Sequence, residues 1–538
     1  MARTGLFHRT MGLLRIAVAD QRSDAAPDEA LERARAGALT RRRLLADAGR
    51  AALLLGTAGV LPAFSGGRPG AAAPSVGVVG AGLAGLMCAR ELIRAGHDVV
   101  VHDAAVRVGG RCWTAAGRFP GQVAERGGEF IDTGHKTMIA LAREFGLALE
   151  DVGKQPGAVS YRFAGQMVSE ETVVEEFRAF VPALHADLRR LSGEVTADQH
   201  TAEDARLDRI SLEGYLSGEN ALGLVCPPRA RAALRQSYIA EYGLEPDRQS
   251  ALNLLFFIHA DRRSKFRPFG VFSDERYHVV AGNDRIVAGL SGQVGDRLRF
   301  GRRLEAVARL ADGRVRLSFA GGIEATHDHV VLAIPFTVLR GVALDPALGI
   351  PAQQVKAIRE LGYGTNAKHM IGLAGRPWRA LGGNGSSYSD LADHQATWET
   401  NPATAAATRA IITDYAGGDR GARLDPGRAQ REAERFVAAC DLVIPGVATA
   451  AVRDRRGALL TEFAHWPSDP LARGSYTCYT PGQFTTIAGR EGLAVGNLHF
   501  AGEHTDSFYS WQGFMEGACL SGLRAADEVV AAAPRAAG

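Results

Sequence analysis

The chain has 538 residues, of which 46% are hydrophobic and 22% charged. This is the balance of a globular protein long enough for one large core or two ordinary ones. A net charge of only +3 gives no electrostatic case for nucleic acid, and no two of the six cysteines are close enough for a CxxC or zinc motif. The 64 glycines point to many tight turns, as in nucleotide-binding α/β folds.

Residues 1–73 read as a leader. Thr40-Arg41-Arg42-Arg43-Leu44-Leu45 precedes an apolar run from Ala51 to Phe64, and Ala71-Ala72-Ala73 closes the segment. Basic, apolar, then small is the order of a cleaved export signal, and arginines before two leucines resemble the twin-arginine type. The run is too short for a stable membrane anchor. The expectation is a periplasmic or secreted protein exported already folded.

The stretch from Val76 to Arg111 organises the rest of the chain. A strand-length run, Val76 to Val79, leads into Gly80-Ala81-Gly82-Leu83-Ala84-Gly85, a complete GxGxxG. Helical spacing then runs to Gly96, and a second strand, Val99 to Val101, ends near Asp103. Gly80 permits the tight turn, Gly82 lets a pyrophosphate approach the backbone, and Gly85 lets helix and strand pack closely. The helix N-terminus offers free N–H groups and partial positive charge to phosphates. Asp103 is placed to accept the hydroxyls of an adenosine ribose. Cys88 falls inside the helix, where burial is its expected role.

Next comes Val108-Gly109-Gly110-Arg111, in which Arg111 can reach a phosphate. A second glycine pair stands in Glu125-Arg126-Gly127-Gly128-Glu129-Phe130-Ile131, then a helix from about His135 to Phe145. From Glu170 to Arg235 the pattern is helical and charged, the mark of a separate lobe, and Ser237 to Ile258 reads as a helical pair around Gly243. Tyr277 to Val280 is a strand, and Gly282-Asn283-Asp284 opens a helix that Asn283 or Asp284 can cap. Alternating runs at Leu304–Leu310 and Val315–Phe319 flank Asp312-Gly313, a hairpin signal, and Val330 to Ile334 is a buried strand ended by Pro335. Lys368 then interrupts an otherwise apolar strand. Burying an unpartnered ammonium costs several kcal/mol, so Lys368 is at an edge, snorkels, or holds something polar. Near the end stand His465-Trp466-Pro467, Gly474-Ser475-Tyr476, and Phe500-Ala501-Gly502-Glu503. Tyr509-Ser510-Trp511-Gln512-Gly513-Phe514-Met515-Glu516-Gly517 then crowds aromatics at the start of a long helix.

Taken together and in this order, these motifs resemble the flavin amine oxidases, a family that includes monoamine, polyamine and L-amino acid oxidases. The resemblance covers nearly everything after residue 74. It implies an α/β fold in which a Rossmann-like FAD-binding domain (74–150, 273–350 and 469–538) interleaves with an α+β substrate domain (151–272, a helical lobe, and 351–468). It places Gly80, Gly82, Leu83, Ala84 and Gly85 at the pyrophosphate, Asp103 on the ribose, and Gly110 and Arg111 at the phosphates. Leu304 falls at the adenine, Gly127, Gly128, Glu129 and Phe130 at the cofactor, and Gly502 and Glu503 near the ribitol or phosphates. Gly513, Phe514 and Met515 fall where a helix N-terminus meets the flavin's pyrimidine edge and suits a negatively charged reduced ring. Lys368 matches the family lysine that holds a water against flavin N5. Trp466 and Tyr476 match wall residues, Tyr476 with Phe514 the aromatic sandwich, and Trp511 adds to the same pocket. Ser475 stands where some relatives carry a flavin-linked cysteine, so FAD is expected to be noncovalent. Ala281-Gly282 replaces a usual glycine pair, and the segment between Gly502 and Phe514 is longer than in monoamine oxidases. No metal is implied.

The implied reaction oxidises a C–N bond, passes hydride to flavin N5, hydrolyses the imine and reduces dioxygen to hydrogen peroxide. An L-amino acid is the first choice of substrate, from Glu241-Tyr242-Gly243-Leu244, Gln249-Ser250-Ala251-Leu252 and Ser273-Asp274-Glu275-Arg276-Tyr277, which resemble the bacterial amino-acid oxidases. A carboxylate substrate wants a bidentate arginine, for which Arg162 and Arg267 are the candidates. A primary amine or polyamine, or electron transfer to a cytochrome, is the alternative. A homodimer is left open.

Overall fold

A computed structural model describes residues 74–152, 156–256, 275–402, 408–506 and 511–532. The leader, Arg267, Ser273-Asp274 and Tyr509-Ser510 lie outside them. Three sheets organise the chain. The first is parallel, with Ser75–Val79 at its centre, flanked on one side by His329–Leu332 then Leu498–Phe500, and on the other by Asp98–His102 then Leu298–Arg299. Val76, Val78, Val99 and Val101 are wholly buried, as strands covered on both faces require. The helix Leu83–Arg94 lies on this sheet, packed against the C-terminal helix Met515–Ala532.

Two glycines make that junction possible. Gly80 has φ +110°, and a Cβ there would sit 2.6 Å from the Ala333 carbonyl oxygen. A Cβ on Gly85 would lie 1.9 Å from the Gly80 oxygen. The close helix–strand approach expected of Gly85 is therefore real, and no larger residue fits without parting the two elements.

The second sheet contains the expected hairpin, Leu304–Arg309 antiparallel to Val315–Phe319, with Ile323–His327 and Ala343–Leu344 at its edges. The third has seven strands in the order Thr461–His465, Ala367–Leu373, Ala410–Ala416, Ala396–Glu399, Gly383–Ser389, Ala158–Phe163, Gln166–Val168. Helices Glu170–Leu188, Ala202–Arg209, Leu212–Leu216 and Pro228–Tyr242 form the lobe expected from the charged helical stretch. Gly243, at φ +71°, ends the last of them.

Smaller expectations shift by a residue or two. The helix expected from His135 is Lys136–Glu144, and the one expected from Gly513 is Met515–Ala532. The helix at Gly282-Asn283-Asp284 is Asp284–Val294, but Asn283 does not cap it with its side chain. Cys88 is buried in the first helix as expected, and all six cysteines are free and buried. Among the described residues no helix is long and apolar enough to cross a membrane, and no group of three or more His, Cys, Asp or Glu could hold a metal.

Candidate active site

A cleft of about 410 Å³ runs along the C-terminal edge of the parallel sheet. This is where ligands bind in open α/β sheets. Gly80, Gly82, Leu83, Ala84, Asp103, Gly110, Arg111, Leu304, Trp466, Gly502, Glu503, Phe514 and Met515 all line it, so most of the expected cofactor positions converge. A Cβ built on Gly82 would meet nothing within 4 Å, so open space lies directly over that residue. Asp103 is fixed by two backbone donors, Ala81 N–H to Oδ2 at 2.6 Å and Ala105 N–H to Oδ1 at 2.7 Å. Burial raises its carboxyl above the usual range, and those two N–H groups pull it back. The remaining lone pairs can accept a sugar diol. A dinucleotide with a pyrophosphate at Gly82 and a ribose at Asp103 fits this donor set.

Arg111 and Glu503 close the cleft's middle. Arg111 donates to Glu503 Oε1 at 2.8 Å and to the Ser475 carbonyl at 2.6 Å. The other carboxylate oxygen of Glu503 accepts from Thr477 at 3.0 Å and from Gly513 N–H at 2.9 Å. Burial pushes this carboxyl up, but Arg111, with smaller help from His504, brings it net below its ordinary value. Gly513 is thus a backbone clamp on Glu503.

The second glycine pair is wedged more tightly than its sequence implies. A Cβ on Gly127 would fall 1.8 Å from the Arg111 carbonyl oxygen and 3.0 Å from Trp466, and one on Gly128 would fall 2.7 Å from Met515 Sδ. Asn283, freed from capping, donates to the Gly128 and Glu129 carbonyls at 3.0 and 2.7 Å. Trp466 Nε1–H donates to the Arg126 carbonyl at 2.8 Å. Gly127 and Gly128 do not line the cleft themselves; the pair is a fixed floor beneath Arg111, Trp466 and Met515, which do.

Lys368 lies directly behind that floor. Its strand is internal to the seven-stranded sheet, and the side chain is 3% exposed, which removes the edge and snorkelling explanations. The ammonium donates to Glu129 Oε2 at 2.5 Å, to the Gly127 carbonyl at 2.9 Å and to the Glu125 carbonyl at 3.3 Å. Its three hydrogens are committed, so this arrangement leaves none for the expected water. Glu129, expected at the cofactor, instead holds Lys368, and its other oxygen accepts from Trp398 Nε1–H at 3.0 Å. Phe130 is also displaced from expectation: its ring is 5.9 Å from Trp398, in the core against the seven-stranded sheet, and does not line the cleft.

The aromatic residues divide. Tyr476 clusters with Trp466 and Ala472, with Trp113 packed against the group, but Tyr476 does not itself line the cleft. Its hydroxyl is 2.9 Å from that of Tyr415 and donates to the Glu241 carbonyl at 2.6 Å. Phe514 and Trp511 pack edge-on around the buried His135, at 5.2 and 4.5 Å between ring centroids. Trp511 stands behind Phe514 and does not line the cleft. Burial lowers His135 to about 3, so it is neutral at ordinary pH.

Strand alternation settles Arg162. Lys368 pairs with Tyr415, and Tyr161 with Tyr388, on the face towards Gly127. Arg162 pairs with Ser389 on the other face, where Ser389 bonds His394 at 2.7 Å and His394 stacks on Phe436. Arg162 therefore lies on the face of the sheet turned away from Gly127 and the cleft. Sequence reasoning also passed over several residues. Trp113 is held between the Arg107 and Arg126 guanidinium groups, 4.0 and 4.1 Å from its ring centre. Asp132, not singled out, and Glu241, met only in a stretch resembling the amino-acid oxidases, lie with Glu129 and Lys368 within electrostatic reach of Glu275. Nothing in their local sequence says that they meet, until distant strands are assembled.

The comparisons agree with this geometry. Residues 83–530 match the family model described as flavin containing amine oxidoreductase. A Mycobacterium tuberculosis protein carrying the name flavin-containing monoamine oxidase is 28% identical, over 84% of this chain and 96% of its own. An L-amino-acid oxidase of Naja atra is 24% identical, over 84% and 87%. The solved cyclohexylamine oxidase from Brevibacterium oxydans superposes with a TM-score of 0.71 at 22% identity, covering 85% of this chain and 99% of its own. The glycine cradle, the ribose carboxylate and the family match lead to one conclusion: the chain belongs to the flavin-containing amine oxidoreductases, with FAD as its cofactor.

Proposed function

We propose that this flavoprotein oxidises a primary amine, RR′CHNH2 + O2 + H2O giving RR′C=O + NH3 + H2O2 (R′ being H or alkyl), with FAD held noncovalently. FAD bound in the cleft supplies the two-electron acceptor and the route to dioxygen; the chain supplies position and charge. The observation that carries the substrate choice is the electrostatic character of the face beside Gly127–Gly128. Behind the cleft wall, Glu129, Asp132 and Glu241 lie within electrostatic reach of Glu275, and the rings of Trp398 and Tyr415 stand 5.5 and 5.9 Å from the Lys368 ammonium. Burial, then Asp132 and Glu241, push Glu275 well above the usual carboxylate range, so its carboxyl is held protonated beside carboxylates that would repel a substrate's own. Aromatic faces favour an ammonium by about 0.5–2 kcal/mol.

Among the described residues, Arg111 and Arg126, which flank the floor, are committed elsewhere, Arg111 to Glu503 and Arg126 to Glu462 at 2.8 Å. This moves the choice from the amino acid first expected to an amine. The amino-acid reading stays as the second, supported by the Naja atra relative and by Arg267, which lies outside the described residues. A peroxide assay of the purified yellow protein against cyclohexylamine, putrescine, benzylamine and the twenty L-amino acids tests it. Peroxide from amines supports the proposal; peroxide from amino acids alone overturns it. Running the assay with and without cytochrome c separates an oxidase from a dehydrogenase. Export by the twin-arginine route is part of the proposal, on the Arg41-Arg42-Arg43 leader, and the N-terminal mass of secreted protein tests it.

A further inference from the structure

We propose that Glu129 is a positioning residue whose carboxylate balances the Lys368 ammonium beneath the flavin floor, so that the pair, and neither member alone, sets the charge felt by the flavin. The geometry is specific. Glu129 comes directly after Gly127-Gly128 in the chain, and Lys368 reaches it across 239 residues. The two side chains are 1% and 3% exposed, so water screens neither. One Glu129 oxygen takes Lys368 and the other takes Trp398, which fixes the carboxylate in the plane between them. Through its other two hydrogens Lys368 ties the Glu125 and Gly127 carbonyls, so the pair also holds the floor in place. The surrounding charges are accounted for: Glu125 and Glu275 each feel Lys368, and Tyr415 feels Glu129, Glu241 and Glu275.

An uncompensated ammonium beside the flavin favours its reduced, more negative form, and an uncompensated carboxylate disfavours it. The two single variants should therefore move the cofactor in opposite directions, which a purely structural pair would not do. The test needs no substrate and so stands apart from the choice of amine or amino acid. The two-electron reduction potential of the FAD-loaded protein is measured anaerobically against a reference dye. Glu129→Gln should raise it at least tenfold in equilibrium constant, about 30 mV. Lys368→Met should lower it by a similar factor, and the double variant should return to within about threefold of wild type. The melting temperature of each variant stripped of FAD supplies a second readout. Each single variant should lose about 5 °C or more, since each leaves a buried charge without its partner, and the double variant should recover most of that loss. If a single variant does not fold while the double does, the balanced pair is supported. Potentials that shift in the same direction, or stability losses that simply add in the double variant, overturn the proposal.

Discussion

Replacing Gly127 by alanine adds one methyl to the floor. Its Cβ would stand 1.8 Å from the Arg111 carbonyl oxygen and 3.0 Å from Trp466 Cζ2. Ordinary contact begins near 3.4 Å, so more than 1 Å of movement is required of backbone that Asn283 and Lys368 both tie down. Such overpacking costs roughly 1–3 kcal/mol. If that cost falls on the cofactor-ready conformation, FAD affinity drops by about 5- to 150-fold, at 1.4 kcal/mol per factor of ten. Flavin retained after ultrafiltration at graded dilution gives the Kd. Gly292→Ala is the control. It lies in the helix Asp284–Val294 with nothing within 4 Å of the new Cβ, and should leave FAD affinity unchanged while adding about 0.5–1 kcal/mol of stability. Wild-type affinity in Gly127→Ala would refute the reasoning that these contacts form the cofactor's floor.

Other outcomes rest on the same geometry. Asp103→Asn should weaken FAD about tenfold or more by flavin titration, because a carboxylate held by two N–H groups becomes an amide with one acceptor. Arg111→Met leaves the buried Glu503 carboxylate unpaired and should cost about 3–5 kcal/mol in denaturant unfolding. Glu503 itself, held below its ordinary value, contributes stability that is present above the unfolded pKa and lost as pH falls through the lower folded value. Arg111→Met should flatten that acid limb in a series of melts below about pH 5. Glu125 behaves oppositely. Burial pushes it up to about 7, against bonds from Asn283 N–H and Thr114. Its protonated form is favoured by folding, so stability falls as pH rises from the ordinary carboxylate range to about 7. Glu125→Gln should remove that slope, and an unchanged slope would show that another group produces it.

The nucleotide half of the site was legible in the sequence because each of its glycines has a local reason. Gly80 needs a positive φ and Gly85 needs to touch Gly80, and both requirements lie within one βαβ unit. Lys368 was legible as an anomaly, since an ammonium in an apolar strand must have a partner. The partner was not legible: Glu129 is 239 residues away and met only when the seven-stranded sheet is laid against the glycine pair. Asn283 misled for a related reason. Its position reads as a cap, but the structure gives its amide to Gly128 and Glu129. Arg162 failed because the sequence supplies alternation without saying which face looks at the flavin. Trp113 and Asp132 carried no local signal that singled them out.

The most direct measurement is anaerobic mixing of the purified flavoprotein with cyclohexylamine, putrescine and each of the twenty L-amino acids, tracking the flavin's visible absorbance. Bleaching by an amine, with the colour restored on admitting dioxygen, is the expected result. Bleaching by amino acids while every amine leaves the flavin oxidised would contradict the reading of the acidic, aromatic face beside Gly127 and Lys368.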